Sequence, residues 1–209
     1  MASYSKRRTC MNAYIKHIIT LPLVISTMTL LTYSQQQNEV PAETMARMMK
    51  LGEQLATPNS NHFFLEKFAG QWKTSSTVMG MEPSSGSASY SMILGNRFLD
   101  GMHDGDFMGV PFIGRLTLGY DNYKHKFVAS FIDNLGTSMR SAEGLLDRTG
   151  KKLSLWGEMD EWLTDEHDKM VLYQYQIVDS NTILFEIHDL ALEKDSKVIE
   201  VTYSRMTDE

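Results

Sequence analysis

From Gly70 to the C-terminus, apolar and polar residues alternate with a period of two, and this alternation constrains the fold more than any other feature. A period of two places successive side chains on opposite faces of a β-strand. Short turn sequences such as Gly95-Asn96 and Asp121-Asn122 separate the alternating segments. The predicted strands are 71–79, 87–94, 97–108, 112–120, 125–133, 137–146, 152–159, 169–178, 182–191 and 198–206. With no helical crossover between them, the pattern predicts an antiparallel meander.

An antiparallel meander has two open edges, and closing the sheet into a barrel removes both. Each strand then has one face inside the barrel and the other in water. The predicted fold is therefore mainly β, an antiparallel up-and-down barrel of about ten strands over residues 61–209. The pattern of residues 61–69 predicts a short helical turn before the first strand. We expect its apolar side chains to point into the core: Phe63, Phe64, Leu65 and Phe68.

Residues 35–60 predict a polar tether followed by an amphipathic helix, which gives the barrel an N-terminal helical arm. Met45, Met48 and Met49 follow the spacing of one apolar helix face, and Pro58 marks the end of the helix. We interpret the helix as an arm that packs on the domain. A mobile lid is the alternative, because methionine faces adapt to varied partners.

Residues 1–34 have the order of a secretory signal peptide. Basic residues at 6–8 precede an apolar run at 18–31, and small and polar residues follow it up to Ser34. The run is shorter than the ~20 residues that a membrane-spanning helix needs. We expect cleavage near Ser34, a true start at Met1 or Met11, and a secreted or periplasmic chain without a stable membrane span.

Removal of residues 1–34 would change the composition of the chain. The single cysteine, Cys10, would be lost, and 16 basic residues would remain against 26 acidic ones. An acidic domain of this kind disfavours nucleic-acid binding. The sequence contains no nucleotide loop, no nucleophile elbow and no pair of histidines at helical metal-ligand spacing, so we predict no cofactor and no metal.

The start of the first strand and the last strand carry a resemblance to lipocalin-like (calycin-type) barrels. Phe68-Ala69-Gly70-Gln71-Trp72 contains a Gly-x-Trp motif, and the last strand ends near Arg205. In the resembling barrels the tryptophan packs at the closed end, and a basic residue of the last strand lies across it. The resemblance implies that Trp72 and Arg205 close the barrel, with a cation–π contact of ~0.5–2 kcal/mol.

A broader resemblance covers almost all of the predicted barrel. TPNSNHFFLEKFAGQW at 57–72 and VPFIGRLTLGYDNYKHKFVASFIDNLGTSM at 110–139 are similar to the bacterial family called domain of unknown function (DUF) 1579. The stretches 93–99, 143–158 and 199–206 extend the match in the same order. That family has no settled activity, so the resemblance implies a fold and no function.

Five aromatic residues are our candidates for the walls of a ligand-binding interior: Phe131, Tyr173, Tyr175, Phe185 and Tyr203. An error of one residue in the alternation would move any of them to the outer face.

Asp133 is the acidic candidate in this interior. It shares a strand face with Phe127, Ala129 and Phe131. If that face points inward, Asp133 can anchor a ligand or act as a general base. The alternative is a turn aspartate that caps the corner at residues 134–136.

Three histidines have structural and functional interpretations. His62 follows a proline turn, and we expect it to bond backbone at the closed end. His103 and Asp104 point to opposite strand faces and cannot share a metal, so we interpret them as a polar strand end. His188 is a weak catalytic candidate, and its position on the face opposite Ile183 favours a surface histidine.

Residues 158–168 hold six carboxylates. Their spacing matches no calcium loop, and we interpret them as a solvated hairpin tip. Trp162 within them suits a flap at the barrel mouth.

The predicted function is the holding of a small, mostly apolar ligand inside the barrel. One alternative is a cavity enzyme of isomerase or hydrolase type that uses Asp133 or a histidine. Another is a protein-interaction module with a filled barrel, whose methionine helix and acidic hairpin form the contact surface. A buried acid beside a tyrosine hydroxyl favours the enzyme, and a packed interior favours the module.

Overall fold

The structure is a computed structural model that describes residues 40–161, 164–192 and 196–207. The predicted signal peptide and Trp162 lie outside the described residues. The chain divides between Gln54 and Leu55 into two units. Helix α1 (Pro41–Ala56) begins in the first unit, and none of its side chains is buried. No helix in the described part of the chain is long and apolar enough to cross a membrane.

The second unit holds a ten-stranded antiparallel barrel, which confirms the predicted fold class. Every predicted strand is present, and the strand ends move by at most three residues. The strands are β1 (Gly70–Val78), β2 (Ser84–Ile93), β3 (Phe98–Phe107), β4 (Val110–Asp121), β5 (Lys126–Asp133), β6 (Arg140–Leu146), β7 (Lys152–Glu161), β8 (Glu166–Ile177), β9 (Thr182–Asp189) and β10 (Lys197–Arg205).

The barrel closes because β1 pairs with both the second strand and the last. Trp72 lies opposite Arg205 on β10 and opposite Ala88 on β2. All other pairs join strands that are neighbours in sequence, so the topology is up-and-down. Each of the ten described strands pairs on both sides, so no edge of this sheet is open to pairing with another chain.

A short helical segment covers one end of the barrel. It comprises helix α2 (Ser60–Leu65) and a 3₁₀ turn (Glu66–Phe68). Phe64, Leu65 and Phe68 are buried in the core, and Phe68 meets Tyr175 edge-to-face at 5.5 Å. Phe63 is 54% exposed, so its predicted inward direction is wrong. The helix turns about 100° per residue, and the face that carries Phe64 and Phe68 cannot also carry Phe63.

The opposite end is the barrel mouth, where the odd-numbered strands finish at Val78, Phe107, Asp133, Glu161 and Asp189. Large apolar side chains are exposed in or beside the described connections at this end. They include Met79, Met81, Met108, Met139 and Leu190. The mouth therefore has an exposed apolar rim.

The turn between β4 and β5 is longer than the predicted Asp121-Asn122 pair. The N–H of His125 donates to the Asp121 carbonyl at 2.8 Å, and His125 has a φ of 56°. The Asp121 side chain accepts from the N–H groups of Tyr123 and Lys124. The sequence predicts that His125 begins β5, and this prediction is wrong. His125 belongs to a four-residue turn, because the Asp121 side chain organises a wider loop.

Candidate functional site

Trp72 and Arg205 form the closed base of the barrel. The Trp72 side chain is fully buried, and its Nε1–H donates to the Phe68 carbonyl at 2.8 Å. The Arg205 guanidinium lies 4.1 Å from the centre of the indole ring. It also donates to the carbonyls of Lys67, Ala69 and Ser180 at 2.7–2.9 Å. This arrangement is the closure that the lipocalin-like resemblance implies. The indole N–H and the guanidinium bond to backbone carbonyls, so both residues have a structural role.

A neutral histidine lies in the middle of the barrel, where His103 meets Tyr90 and Tyr203. Its Nε2 is 3.2 Å from the Tyr90 hydroxyl, and its ring is 6.2 Å from that of Tyr203. Burial lowers the pKa of His103 to about 4. Burial also raises the pKa of Tyr203 to about 12. All three groups are therefore uncharged near neutral pH and can donate or accept hydrogen bonds without a charge.

The interpretation of His103 as a polar strand end is wrong. The side chain points inward, although Asp104 does point to the other face as expected. The turn residues that follow His103 suggested a solvated end. The better signal was the alternation itself, because His103 shares its face with the buried Leu99 and Gly101.

The five aromatic wall candidates all face the interior. Tyr175 and Tyr203 are buried, and Phe131, Tyr173 and Phe185 pack against the core while remaining partly buried. The rings of Tyr173 and Phe185 are nearly parallel, with centroids 6.5 Å apart. The Tyr173 hydroxyl is buried and has no hydrogen-bond partner among the described residues.

Asp133 lies at the mouth with both carboxylate oxygens in use. Oδ1 accepts from the Leu135 N–H at 2.9 Å, and Oδ2 accepts from Arg140 at 2.6 Å. The Asp133 side chain is 5% exposed and that of Arg140 is 32% exposed. The geometry favours the corner-capping alternative over a free general base. The sequence analysis does not predict Arg140 as an interior residue. The signal was its position on the same strand face as Ala142 and Gly144.

A cavity of about 70 Å³ lies beside His103 and Tyr203. Its lining includes the inward-facing Thr74, Ser76, His103, Phe112, Val201 and Tyr203, and it also includes Ser85, Ser87, Asp104 and Asp106 of the outer face, so the space is partly open. Strands β2 and β3 approach closely here, and a Cβ at Gly86 would lie 2.6 Å from the Asp104 carbonyl. The space is smaller than the ~300–1,000 Å³ of pockets for drug-sized ligands, and it exceeds what one water needs.

A second ion pair near the mouth joins the neighbouring strands β8 and β9. Lys169 Nζ lies 2.7 Å from Asp189 Oδ2, and both side chains are largely buried. The hydrogen bond to Asp189 raises the pKa of Lys169. With Asp133–Arg140, this pair places two ion pairs among the inward-facing side chains near the mouth.

The other two histidine candidates lie away from the cavity, and His62 is buried at the closed end. His62 Nδ1 accepts from the Asn59 N–H at 3.0 Å at the closed end, as a structural histidine would. His188 is on the face of β9 opposite Ile183, with Nδ1 3.2 Å from Ser196 Oγ. The described residues contain no cluster of three His, Cys, Asp or Glu side chains that could hold a metal ion.

The closed up-and-down strand order and the Trp72–Arg205 base define this molecule as a small antiparallel β-barrel with an aromatic and hydroxyl-bearing interior. The chain belongs to the family described as Protein of unknown function (DUF1579), which matches residues 57–205. No curated protein matches the chain.

Solved structures of other barrels are similar in fold at low sequence identity. A redesigned β-barrel is 13% identical, with a TM-score of 0.38, and covers 68% of this chain and 95% of its own. A second redesigned barrel, bound to DFHBI, is 13% identical, with a TM-score of 0.38 and coverages of 66% and 99%. The S-type phycobiliprotein lyase from Guillardia theta is 10% identical, with a TM-score of 0.48 and coverages of 72% and 95%.

Proposed function

We propose that the protein binds a small, mostly apolar molecule inside the half of the barrel nearest the mouth. The observation that carries this proposal is the cavity beside His103, which has aromatic carbon and hydrogen-bonding groups on its walls. Ligand sites in small barrels combine apolar walls with a few placed polar groups. Phe112 and Tyr203 supply the aromatic surface, and Thr74, Ser76 and His103 supply the polar groups.

The same geometry favours binding over catalysis. A general base needs a free acceptor within reach of the proton that it removes. Asp133 directs both oxygens to Leu135 and Arg140. His103 is held against Tyr90, and among the described contacts it has no carboxylate partner that would orient or activate it.

The size of the cavity sets the size of the ligand. A space of about 70 Å³ suits a molecule near the size of one aromatic ring, with some movement of wall side chains. Partly exposed walls such as Phe112 lie next to the mouth and can move most easily.

Native mass spectrometry of the protein purified from its own host tests the proposal. We expect a retained small molecule, and a Val201→Phe variant that fills the cavity should lose it. Thr202→Phe is the matched control, because Thr202 is the next residue on β10 and points to the outer face. An empty wild-type barrel, with no thermal shift across a panel of lipids and small metabolites, contradicts ligand binding.

We further propose that the mature chain acts outside the cytoplasm, as a secreted or periplasmic protein. The order of charge and hydropathy in residues 1–34 supports export, and an acidic mature barrel without cysteine is compatible with it.

A further inference from the structure

Three methionines of helix α1 lie on one exposed face. Met45, Met48 and Met49 follow the i, i+3, i+4 spacing, which makes them neighbours on the surface of the helix. They are 58%, 62% and 69% exposed, and no side chain of α1 is buried. Burial in a hydrophobic core, the usual reason for a row of methionines on a helix, therefore does not explain these three.

Sulfur chemistry distinguishes these methionines from other residues that would suit the same positions. Leucine has nearly the same helix propensity and a similar volume, so neither helix formation nor packing requires methionine. The thioether sulfur is what leucine lacks. It is a soft ligand of the kind that selects copper(I), whereas imidazole suits zinc and carboxylates suit calcium. It also lies outside the set of His, Cys, Asp and Glu ligands, for which the described residues hold no cluster of three.

The surroundings of the three sulfur atoms leave room for a cation and keep positive charge away from it. An α-helix turns about 100° per residue, which places Arg47 and Lys50 about 100° or more around the axis from each methionine. By the same rotation, Gly52 falls on the methionine face. A Cβ at Gly52 would meet nothing within 4 Å, so the space on that face is open.

We propose that Met45, Met48 and Met49 form a binding site for one copper(I) ion, which three thioether sulfurs hold. Residues at this spacing have Cβ atoms roughly 5–6 Å apart. The methionine side chain has three rotatable bonds, so the three sulfurs can converge on one ion. Residues 35–209 contain no cysteine, so no thiolate there competes for the ion. The site uses no residue of the barrel and does not depend on the proposed ligand binding.

Silver(I) is the probe for this site, because it is monovalent and soft like copper(I) and keeps its oxidation state in air. It is titrated in chloride-free buffer into the full chain, which is labelled with ¹³C in the methionine methyl groups. All samples carry Cys10→Ser, which removes the only thiol of the chain. We expect the methyl signals of the three α1 methionines to shift first, with one silver ion bound per chain in calorimetry. Zinc(II) should leave these signals in place.

Leucine substitutions separate sulfur chemistry from apolar surface, because leucine preserves the helix and the apolar face. The triple variant Met45→Leu/Met48→Leu/Met49→Leu should lose the first silver ion. Met48→Leu alone should bind silver roughly tenfold or more weakly, since only two sulfurs remain. The matched control replaces by leucine three exposed methionines at the barrel mouth, Met79, Met81 and Met108. This control should leave the affinity of the α1 site unchanged.

Acid distinguishes a thioether site from a site that contains histidine. Thioether sulfur has no proton to lose, so the silver affinity should be the same at about pH 5 and about pH 7, on either side of the histidine pKa. No silver binding, or equal binding in the wild type and the α1 triple variant, overturns the site. Earlier shifts of the mouth methionines, or a loss of affinity at the lower pH, do the same. An unchanged affinity in Met48→Leu overturns the set of three sulfur ligands.

Discussion

The folded barrel favours the neutral form of the His103 imidazole. The rings of Tyr90, Phe131 and Tyr203 surround it, and burial lowers its pKa to about 4. The unfolded chain takes up this proton near pH 6.5. Between those two values the unfolded state binds more protons than the folded state. The stability due to neutral His103 is therefore complete above about pH 6.5 and falls as the pH drops toward 4.

We expect His103→Gln to remove this part of the pH dependence. Between about pH 7 and pH 4 the wild type should lose more unfolding free energy than the variant, by up to about 3 kcal/mol. Urea denaturation at a series of pH values measures the difference. Tyr90 and Tyr203 do not titrate in this range, because burial raises their pKa values. Carboxylates titrate in both proteins, and parallel losses would show that His103 is not held neutral.

Arg205 makes several contacts at once at the base. Replacing it with methionine removes the contact with Trp72 and leaves the carbonyls of Lys67 and Ala69 without their donor. We expect Arg205→Met to lower the unfolding free energy by about 2–4 kcal/mol in chemical denaturation.

Arg115→Met is the control for this substitution. Arg115 pairs with Asp100 on the outer face of the barrel, and 57% of its side chain is exposed. Such an exposed pair contributes about 0–1 kcal/mol. Equal losses in the two variants would mean that Arg205 adds no more than a surface charge.

The segment from Leu55 to Phe68 is fixed to all four turns at the closed end of the barrel. Arg97 in the β2–β3 turn donates to the Ala56 carbonyl, and Asn122 in the β4–β5 turn donates to Leu55 and Thr57. Lys67 reaches the Gly150 carbonyl in the β6–β7 turn. The fourth connection is Arg205, which donates to Ser180. This segment is thus held at the closed end by polar contacts with the turns as well as by its buried phenylalanines.

Asn122→Ala tests this attachment. The variant loses the bonds to Leu55 and Thr57 and the bond from the Asn59 side chain. We expect a loss of about 1–2 kcal/mol in thermal or urea unfolding, comparable to the removal of a helix cap. Tyr123→Ala in the same turn should change stability by less than about 0.5 kcal/mol, because its side chain is exposed. A similar loss in both variants would point to the turn backbone instead.

The strands could be predicted because each carries its own alternation, whereas their ends could not. β2 begins at Ser84 and not near 87, because Ser84 and Ser85 pair with β1 through backbone groups that need no apolar side chain. β8 likewise begins at Glu166, inside the acidic hairpin, because its ladder with β7 continues to Glu161. Backbone pairing extends a strand past the point where its hydrophobic pattern stops.

The barrel interior changes in character from base to mouth. Trp72 and Phe68 form an apolar base, tyrosines and His103 lie in the middle, and two ion pairs between neighbouring strands lie near the mouth. The alternation in each strand predicted which aromatics face inward, including Tyr173 and Tyr203. It could not predict that His103 meets Tyr90, or that Arg140 meets Asp133. Those contacts depend on the register between strands, which the pattern of a single strand does not contain.

The N-terminal segment and the barrel have opposite electrostatic character, which is the basis for a prediction about the whole chain. Residues 1–34 carry four basic residues and no acidic one, and the rest of the chain carries 16 basic and 26 acidic residues. Expression of the full gene in its own host should yield a mature protein that begins near Gln35, as intact mass measurement would show. Leu30→Arg interrupts the apolar run and should leave the segment uncleaved. Recovery of an intact wild-type chain that begins at Met1 or Met11 in the cytosolic fraction would contradict export.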